Sequence, residues 1–304
     1  MYDLMIIGGG PAGLAAGVYA ARKRLDALLV TGDIGGQVNL TLGIENYLGY
    51  QFIEGPELIE KFQTQVSQYP LDQKISDKVT RLEKTEEGFE SITETGEKYQ
   101  SQVAVLATGK RPRQLNVPGE VELTGRGVTY CAICDGPVFA GQRVAVVGGG
   151  NSAVEAVLDM ARIAEHVNLV SLTPLTCDAV LTDKLGSAEN VTIFTEYQTE
   201  EIKGKDFVEG LLIKDIKGGE KKSLDVTGVF IEIGLVPNSG LVKDLVELNK
   251  QGEVVINSYN ETSIPGLYAA GDVTDVPEKQ IVVATGEGAK AVLQAHRYLQ
   301  RLVT

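Results

Sequence analysis

Short apolar runs of strand length recur along the chain, beginning with Leu4-Met5-Ile6-Ile7 almost at the N-terminus. Others are Ala27-Leu28-Leu29-Val30, Val103-Ala104-Val105-Leu106, Val144-Ala145-Val146-Val147 and residues 167–172. They are partly β-branched and only a few residues long, which predicts buried strands. Between the first and second, and again between the fourth and fifth, a glycine-rich turn leads into a helical stretch. Each such stretch predicts a βαβ unit. Near the end, Gly286-Glu287-Gly288 followed by residues 289–302 reads as a helix. None of the apolar runs approaches the ~18 residues that a membrane span needs.

The two βαβ stretches are near-repeats of each other. Residues 4–30 carry Gly8-Gly9-Gly10-Pro11-Ala12-Gly13, and residues 144–172 carry Gly148-Gly149-Gly150-Asn151-Ser152-Ala153. Gly8 and Gly148 allow the tight turn, and Gly10 and Gly150 let a pyrophosphate approach the backbone with no Cβ in the way. Gly13 and Ala153 keep the helix close to the strand. A diphosphate then rests on free N–H groups at a helix N-terminus, where the helix dipole favours negative charge. One such loop is a weak signal, but two in strand–turn–helix context predict two dinucleotide sites.

Further segments fit the same reading. Asp272 follows the small-residue run ending at Gly271 and is placed to bond a polyol such as the ribityl chain of FAD, although an Asp here can equally cap a turn. Ala107-Thr108-Gly109 closes another strand and fits a second approach to that cofactor. The N-terminus of the final helix is expected to face the flavin pyrimidine edge and stabilise charge on the reduced ring.

Between the two glycine loops stands Cys131-Ala132-Ile133-Cys134-Asp135-Gly136-Pro137. C-x-x-C brings two sulfurs within disulfide reach and lowers the pKa of one thiol. Zinc needs four ligands, and the chain offers one more cysteine, Cys177, and two histidines, His166 and His296. A redox pair is therefore favoured over a metal site or an inert pair, and Cys177 reads as an incidental thiol. Asp135 either delivers a proton to a departing thiolate or caps a helix.

Length and charge narrow the remaining possibilities. The 304 residues suffice for two domains with their own cores. Three cysteines do not make a disulfide framework. A net charge of −13, spread along the chain, argues against nucleic acid and anionic membranes as partners. The N-terminus enters a strand too soon for a signal peptide, so a cytoplasmic location is expected.

Taken together, these motifs resemble the low-molecular-weight thioredoxin reductase family across the whole chain. The similarity is greatest to the branch containing the flavoprotein subunit of alkyl hydroperoxide reductase, without that protein's N-terminal domains. It is carried by residues 8–13, Gly35-Gly36-Gln37, Ile44-Glu45-Asn46-Tyr47, residues 131–137 and 148–155, Ile233-Gly234-Leu235-Val236-Pro237-Asn238, residues 269–272, Lys279-Gln280-Ile281 and residues 284–290. The resemblance implies an α/β protein of two Rossmann-like, three-layer ββα nucleotide-binding domains, one inserted in the other. The FAD domain would comprise 1–114 and 243–304, and an NAD(P)H domain, 115–242, would carry the dithiol, with connecting strands near 117–119 and Gly240.

The same resemblance implies which residues do the work. Gly8, Gly10, Pro11, Ala12, Gly13, Gly36, Gln37, Asn46, Ala107, Thr108, Gly109, Gly271, Asp272, Lys279, Gln280 and Ile281 would hold FAD. Gly148, Gly150, Asn151, Ser152, Ala153 and Ser171 would hold NADH or NADPH. Cys134 would be the flavin-proximal thiol, Cys131 the attacking one and Asp135 the acid. A homodimer is implied, with a thioredoxin, a glutaredoxin-like or another thioredoxin-like protein as partner.

The chain departs from the family after each second strand. In the first unit Thr31-Gly32 stands where an acid usually binds a ribose, although this family often lacks that acid. In the second, Ser171-Leu172-Thr173-Pro174 replaces both the His-Arg-Arg run of NADPH-using members and the acid of the peroxide-reductase branch. NADH is accordingly the favoured donor. The alternatives are a ferredoxin-type donor with a vestigial nucleotide site, or an FAD sensor that does not turn over.

Overall fold

The computed structural model describes residues 1–41 and 43–302. In chain order it runs β1 (Tyr2–Gly9), α1 (Pro11–Arg22), β2 (Ala27–Ile34), α2 (Gly55–Val66), β3 (Asp72–Ile75), β4 (Val79–Lys84), β5 (Phe89–Thr93), β6 (Lys98–Leu106) and β7 (Lys110–Pro112). There follow β8 (Val128–Thr129), α3 (Ala132–Asp135), β9 (Arg143–Val147), α4 (Asn151–Met160), β10 (His166–Ser171), α5 (Ala179–Leu185) and β11 (Val191–Thr195). The chain ends with β12 (Tyr197–Gly204), β13 (Val208–Asp215), β14 (Lys221–Leu224), β15 (Gly228–Ile231), β16 (Leu235–Pro237), β17 (Leu267–Ala269) and α6 (Ile281–Leu302).

Two compact units emerge. The first collects Met1–Asn39, Pro56–Arg111 and Val236–Thr304; the second collects Leu40–Gly55 and Pro112–Leu235.

In the first unit the parallel strands run in the order β3-β2-β1-β6-β17, and β5 and β4 continue from β6 as an antiparallel meander. In the second, the parallel order is β11-β10-β9-β15-β8, with β12-β13-β14 as a separate antiparallel sheet. The two parallel sheets have one topology. The central strand β1 corresponds to β9, β6 to β15, and β17 to β8. Both are Rossmann-like α/β sheets, so the sequence repeat is a repeat of architecture.

Both faces of each sheet are covered, and that accounts for the unbroken apolar strands. Because successive side chains point to opposite faces, Leu4 and Ile6 of β1 pack with α1 and α6, while Met5 and Ile7 pack on the other side with Val79, Leu82 and Phe89. The same division puts Val144 and Val146 of β9 under α4, and Ala145 and Val147 against the β12–β13 side.

One expected boundary was misplaced. The last helix starts at Ile281, eight residues before position 289, so Gly286 and Gly288 lie inside it. The reason is packing. A Cβ on Gly288 would fall 2.0 Å from the backbone oxygen of Ala12, so this glycine lets α6 lie directly on α1. The dipole end of the helix is therefore at Gln280–Ile281. Among the described residues, no helix is long and apolar enough to cross a membrane.

Candidate functional site

In the first unit, the turn from β1 into α1 is shaped by two contacts that admit no side chain. Gly8 has φ +117°, and a Cβ there would meet the Ala107 carbonyl oxygen at 2.3 Å. A Cβ on Gly13 would lie 1.8 Å from the Gly8 oxygen. Gly10 differs from both. It is the extended N-cap of α1, with Pro11 as the first helical residue, and a Cβ there meets nothing within 4 Å. Gly36 and Gly109 likewise face open space. The tight glycines thus fasten the loop to the sheet, and the open ones line a cradle next to the free N–H groups of α1.

Asp272 follows β17 beside this cradle: a Cβ on its neighbour Gly271 would lie 3.0 Å from the Ala12 Cβ. Burial pushes the Asp272 carboxyl up, against the opposing charges of Lys279 and Lys110. Among the described residues no group donates a hydrogen bond to it, so the turn-capping role is not the one it plays. A half-buried carboxyl with no protein donor, next to an open glycine cradle, fits a polyhydroxylated cofactor such as FAD.

The basic side of this region was only half visible in the sequence. Lys279 donates to the Thr274 carbonyl at 2.6 Å and pairs with Glu253 at 3.2 Å; Lys110 bonds the same carboxylate. Burial holds Lys279 below the usual lysine value, and the neighbouring Lys110 adds to that. For Glu253 burial works upward, but the bonds from Lys110 and Asn249 and the charge of Lys279 outweigh it and keep the carboxyl below its ordinary value. Lys110 and Glu253 sit 143 positions apart, with no shared motif to announce them. Gln37, Thr108, Gln280 and Ile281 also belong to the first unit. Asn46 does not, because its segment clusters with the second.

The second glycine loop repeats the first. Gly148 has φ +150°, and a Cβ there would meet the Glu232 carbonyl oxygen at 2.3 Å, as Gly8 meets Ala107. Gly150 is the extended N-cap of α4, with only Thr176 near it, at 4.0 Å. Ser171, expected at the ribose, is 1 % exposed, and a Cβ on Gly149 would fall 2.2 Å from its Oγ. The hydroxyl therefore packs against the loop. A second polar feature stands at the loop mouth. Asn151 Nδ2 donates to Asp178 at 3.0 Å, and the Asp178 N–H donates back to Asn151 Oδ1 at 2.9 Å. An acid thus sits at the N-terminus of α4. Asp178 closes a stretch, 171–178, that has no Arg or Lys, and its partner lies 27 positions away in the chain.

The dithiol follows β8, the edge strand that corresponds to β17. Where the first unit puts Asp272, the second puts Cys131–Cys134. The two cysteines are joined in a disulfide, with Cα atoms 5.3 Å apart. Cys131 is the N-cap of α3, its Sγ accepting from the Cys134 N–H at 3.2 Å. Both sulfur-bearing residues are half-buried, and Ile133 between them is 65 % exposed. Asp135 is 1 % exposed and accepts a short hydrogen bond from Thr129 Oγ1, which also accepts from the Cys131 N–H at 3.2 Å. It makes no side-chain cap bond to the 3₁₀ turn it precedes, Gly136–Phe139. Glu232, which no motif marks in the sequence, accepts from the Ala132 N–H at 3.2 Å, and burial pushes its carboxyl up to about 7. Among the described residues no His, Cys, Asp and Glu cluster could hold a metal ion.

Each unit thus pairs a Rossmann-like sheet with a matching glycine loop, and the second also carries the half-buried Cys131–Cys134 disulfide. Residues 2–288 match the family described as pyridine nucleotide-disulphide oxidoreductase, and the chain belongs to it. Membership implies FAD and a nicotinamide nucleotide. The chain is 44 % identical over 301 residues to a component of alkyl hydroperoxide reductase from Staphylococcus aureus, covering 99 % of this chain and 59 % of that protein. It spans, then, little more than half the length of this relative. Among solved structures, thioredoxin reductase from Streptococcus pyogenes is 38 % identical, with TM-score 0.93 and 99 % of each chain covered. Thioredoxin reductase from Giardia duodenalis is 31 % identical, with TM-score 0.91, covering 98 % of this chain and 99 % of its own.

Proposed function

We propose that this protein is a flavin-dependent disulfide reductase of the thioredoxin reductase type, passing electrons from NADH to a small thioredoxin-like protein. The observation that carries this reading is the half-exposed Cys131–Cys134 disulfide, set at the N-terminus of α3 and fixed by a hydrogen-bonded turn. FAD, when bound, supplies two-electron chemistry between the nicotinamide and the disulfide. Gly8, Gly10, Pro11, Ala12, Gly13, Gly36, Gln37, Ala107 to Gly109, Gly271, Asp272 and Lys279 to Ile281 would hold it, and residues 148–153 would hold the nucleotide. Asn46 keeps its assignment to FAD as part of this reading.

The chain's own chemistry then runs in two exchanges. The Cys131 thiolate attacks the partner disulfide, forming a mixed disulfide and releasing one partner thiolate. The Cys134 thiolate next attacks Cys131 Sγ, which re-forms the intramolecular disulfide and releases the second. In this reading Asp135, held by the Thr129 hydroxyl, hands a proton to a leaving thiolate. Ile133 offers the partner an exposed apolar contact. A homodimer, implied by the family resemblance, belongs to the same proposal.

The donor preference follows from electrostatics. NADPH discrimination needs cations on the 2′-phosphate, each charged hydrogen bond contributing roughly 1.5–3 kcal/mol. Two of them would make at least about two decades of preference. Residues 171–178 contain no Arg or Lys, and the Asp178 carboxylate beside α4 repels a further phosphate. We expect kcat/KM with NADH to equal or exceed that with NADPH. A hundredfold preference for NADPH would place the specificity loop elsewhere. Anaerobic mixing with NADH tests the whole reading: it should bleach the flavin rapidly and support turnover of a thioredoxin-like disulfide. Bleaching by reduced ferredoxin alone would favour another donor, and no turnover with any donor would leave a sensor.

A further inference from the structure

The equivalence of the two units isolates one residue that the fold does not require. Gly8 and Gly148 each approach a carbonyl oxygen to within 2.3 Å of an ideal Cβ, one belonging to Ala107 and the other to Glu232. The two residues directly follow equivalent strands, β6 and β15. In the first unit a buried alanine suffices at this point. In the second the position carries a carboxyl group, which turns to the dithiol and accepts the N–H of Ala132, the residue next to Cys131.

Glu232 has no ion-pair partner among the described residues. Its own N–H is used by the Val147 carbonyl at 2.8 Å, which ties it to the strand that leads into the nucleotide loop. The ionisable groups on neighbouring elements are few. The dithiol turn brings Cys131, Cys134 and Asp135, and α4 carries Glu155 and Asp159. Arg113 donates its backbone N–H to Gly234, two residues further on, and its side chain passes within 3.9 Å of an ideal Cβ there. Tyr130, just before the dithiol, has its hydroxyl on Glu120. Asp135 is engaged by Thr129. The loop of Gly148, Gly149 and Gly150 brings no charge at all.

We propose that Glu232 is a positioning residue for the dithiol, holding the Cys131 turn through the Ala132 N–H and taking up a proton when the disulfide is reduced. This rests on the reading of Cys131 and Cys134 as the working dithiol. Two electrons from any dithiol reductant break the S–S bond and leave two thiolates, of which one is protonated from solvent. The negative charge left on the turn then raises the proton affinity of the nearby carboxyl group, because like charges disfavour ionisation. Burial, working against the Ala132 hydrogen bond, already brings that carboxyl to about 7 in the disulfide state. Above that pH, and below the higher value in the reduced state, reduction therefore takes up one extra proton. Below about pH 6 Glu232 is protonated in both states and contributes nothing to the pH dependence.

The test compares the wild-type flavoprotein with Glu232→Gln, which keeps an acceptor for Ala132 but cannot titrate. Both are equilibrated with reduced and oxidised dithiothreitol from about pH 6 to 9, quenched by alkylation and counted by mass spectrometry. The reductant's own pH dependence cancels in the ratio of the two equilibrium constants. That ratio, wild type over variant, should be flat below about pH 6.5 and fall above 7 by up to tenfold per pH unit, about 30 mV for this two-electron couple. The expected loss is tenfold or more by about pH 9. A ratio constant across the range would overturn the proposal. If dithiothreitol reduces the disulfide in neither protein, the disulfide-reductase reading fails and takes this inference with it. Should Glu232→Gln not fold, redox-difference infrared spectra of Asp135→Asn at about pH 8 decide instead. A protonated-carboxyl band must grow on reduction, and its absence would overturn the proposal.

Discussion

Cys131→Ser and Cys134→Ser should each lose at least about three orders of magnitude in disulfide reductase turnover while keeping their flavin and their fold. A serine hydroxyl cannot form the S–S bond on which both exchanges depend, and the loss is one of chemistry, with no void or overpacking. The two variants should nonetheless differ. Cys134→Ser retains the attacking thiol and lacks the resolving one, so incubation with the partner should accumulate a mixed disulfide through Cys131. Cys131→Ser should accumulate none at that position. Cys177→Ser is the control: its thiol is half-buried beside Thr182 Oγ1 at 3.3 Å, outside the dithiol turn, and its removal should be nearly silent. Retention of wild-type turnover by either dithiol variant would defeat the exchange scheme.

What the sequence revealed about this site, and what it hid, divides along physical lines. The glycine loops were legible because a phosphate cradle is built from consecutive residues, and residues with no Cβ leave a pattern on the chain. C-x-x-C was legible for the same reason, since its two sulfurs meet across a single turn. The start of α6 was misjudged because Gly286 and Gly288 look like a boundary until Ala12 is seen lying against the helix. The backbone of a partner helix leaves no trace in the local sequence. Glu232 ends an apolar run, Val229-Phe230-Ile231, and that acid at a strand end was the one available hint. Its meaning depends on the Ala132 N–H, 100 positions away. Ser171 and Asp178 show the converse. A serine at the expected place is turned into the loop, while an acid seven residues later reaches the helix N-terminus through Asn151.

Gly10→Val should yield a folded protein without its flavin, and the comparison with Gly13→Ala separates binding from packing. A Cβ on Gly10 meets no protein atom within 4 Å, and the residue has φ −76° and ψ −175°, an extended conformation open to any L-residue. The apo-protein therefore has no reason to lose stability, and its melting temperature should match that of wild type stripped of cofactor. The space that valine enters is the mouth of the cradle over the first N–H groups of α1, where a pyrophosphate must come within hydrogen-bond distance. Displacing it by one methyl width removes two or more charge-assisted bonds, roughly 3 kcal/mol or about a hundredfold in affinity. FAD content after purification should fall below about a tenth of the wild-type level. Gly13→Ala behaves differently because its Cβ would lie 1.8 Å from the Gly8 oxygen, a backbone atom that cannot turn aside. Helix α1 must then lift from β1, and α6, which rests on α1 at Ala12, must move with it. Overpacking of this kind costs about 1–3 kcal/mol or more, so this variant should lose stability and flavin together. Wild-type FAD content in Gly10→Val, or an apo-protein as destabilised as Gly13→Ala, would show that the open face of the loop is not where the cofactor lies.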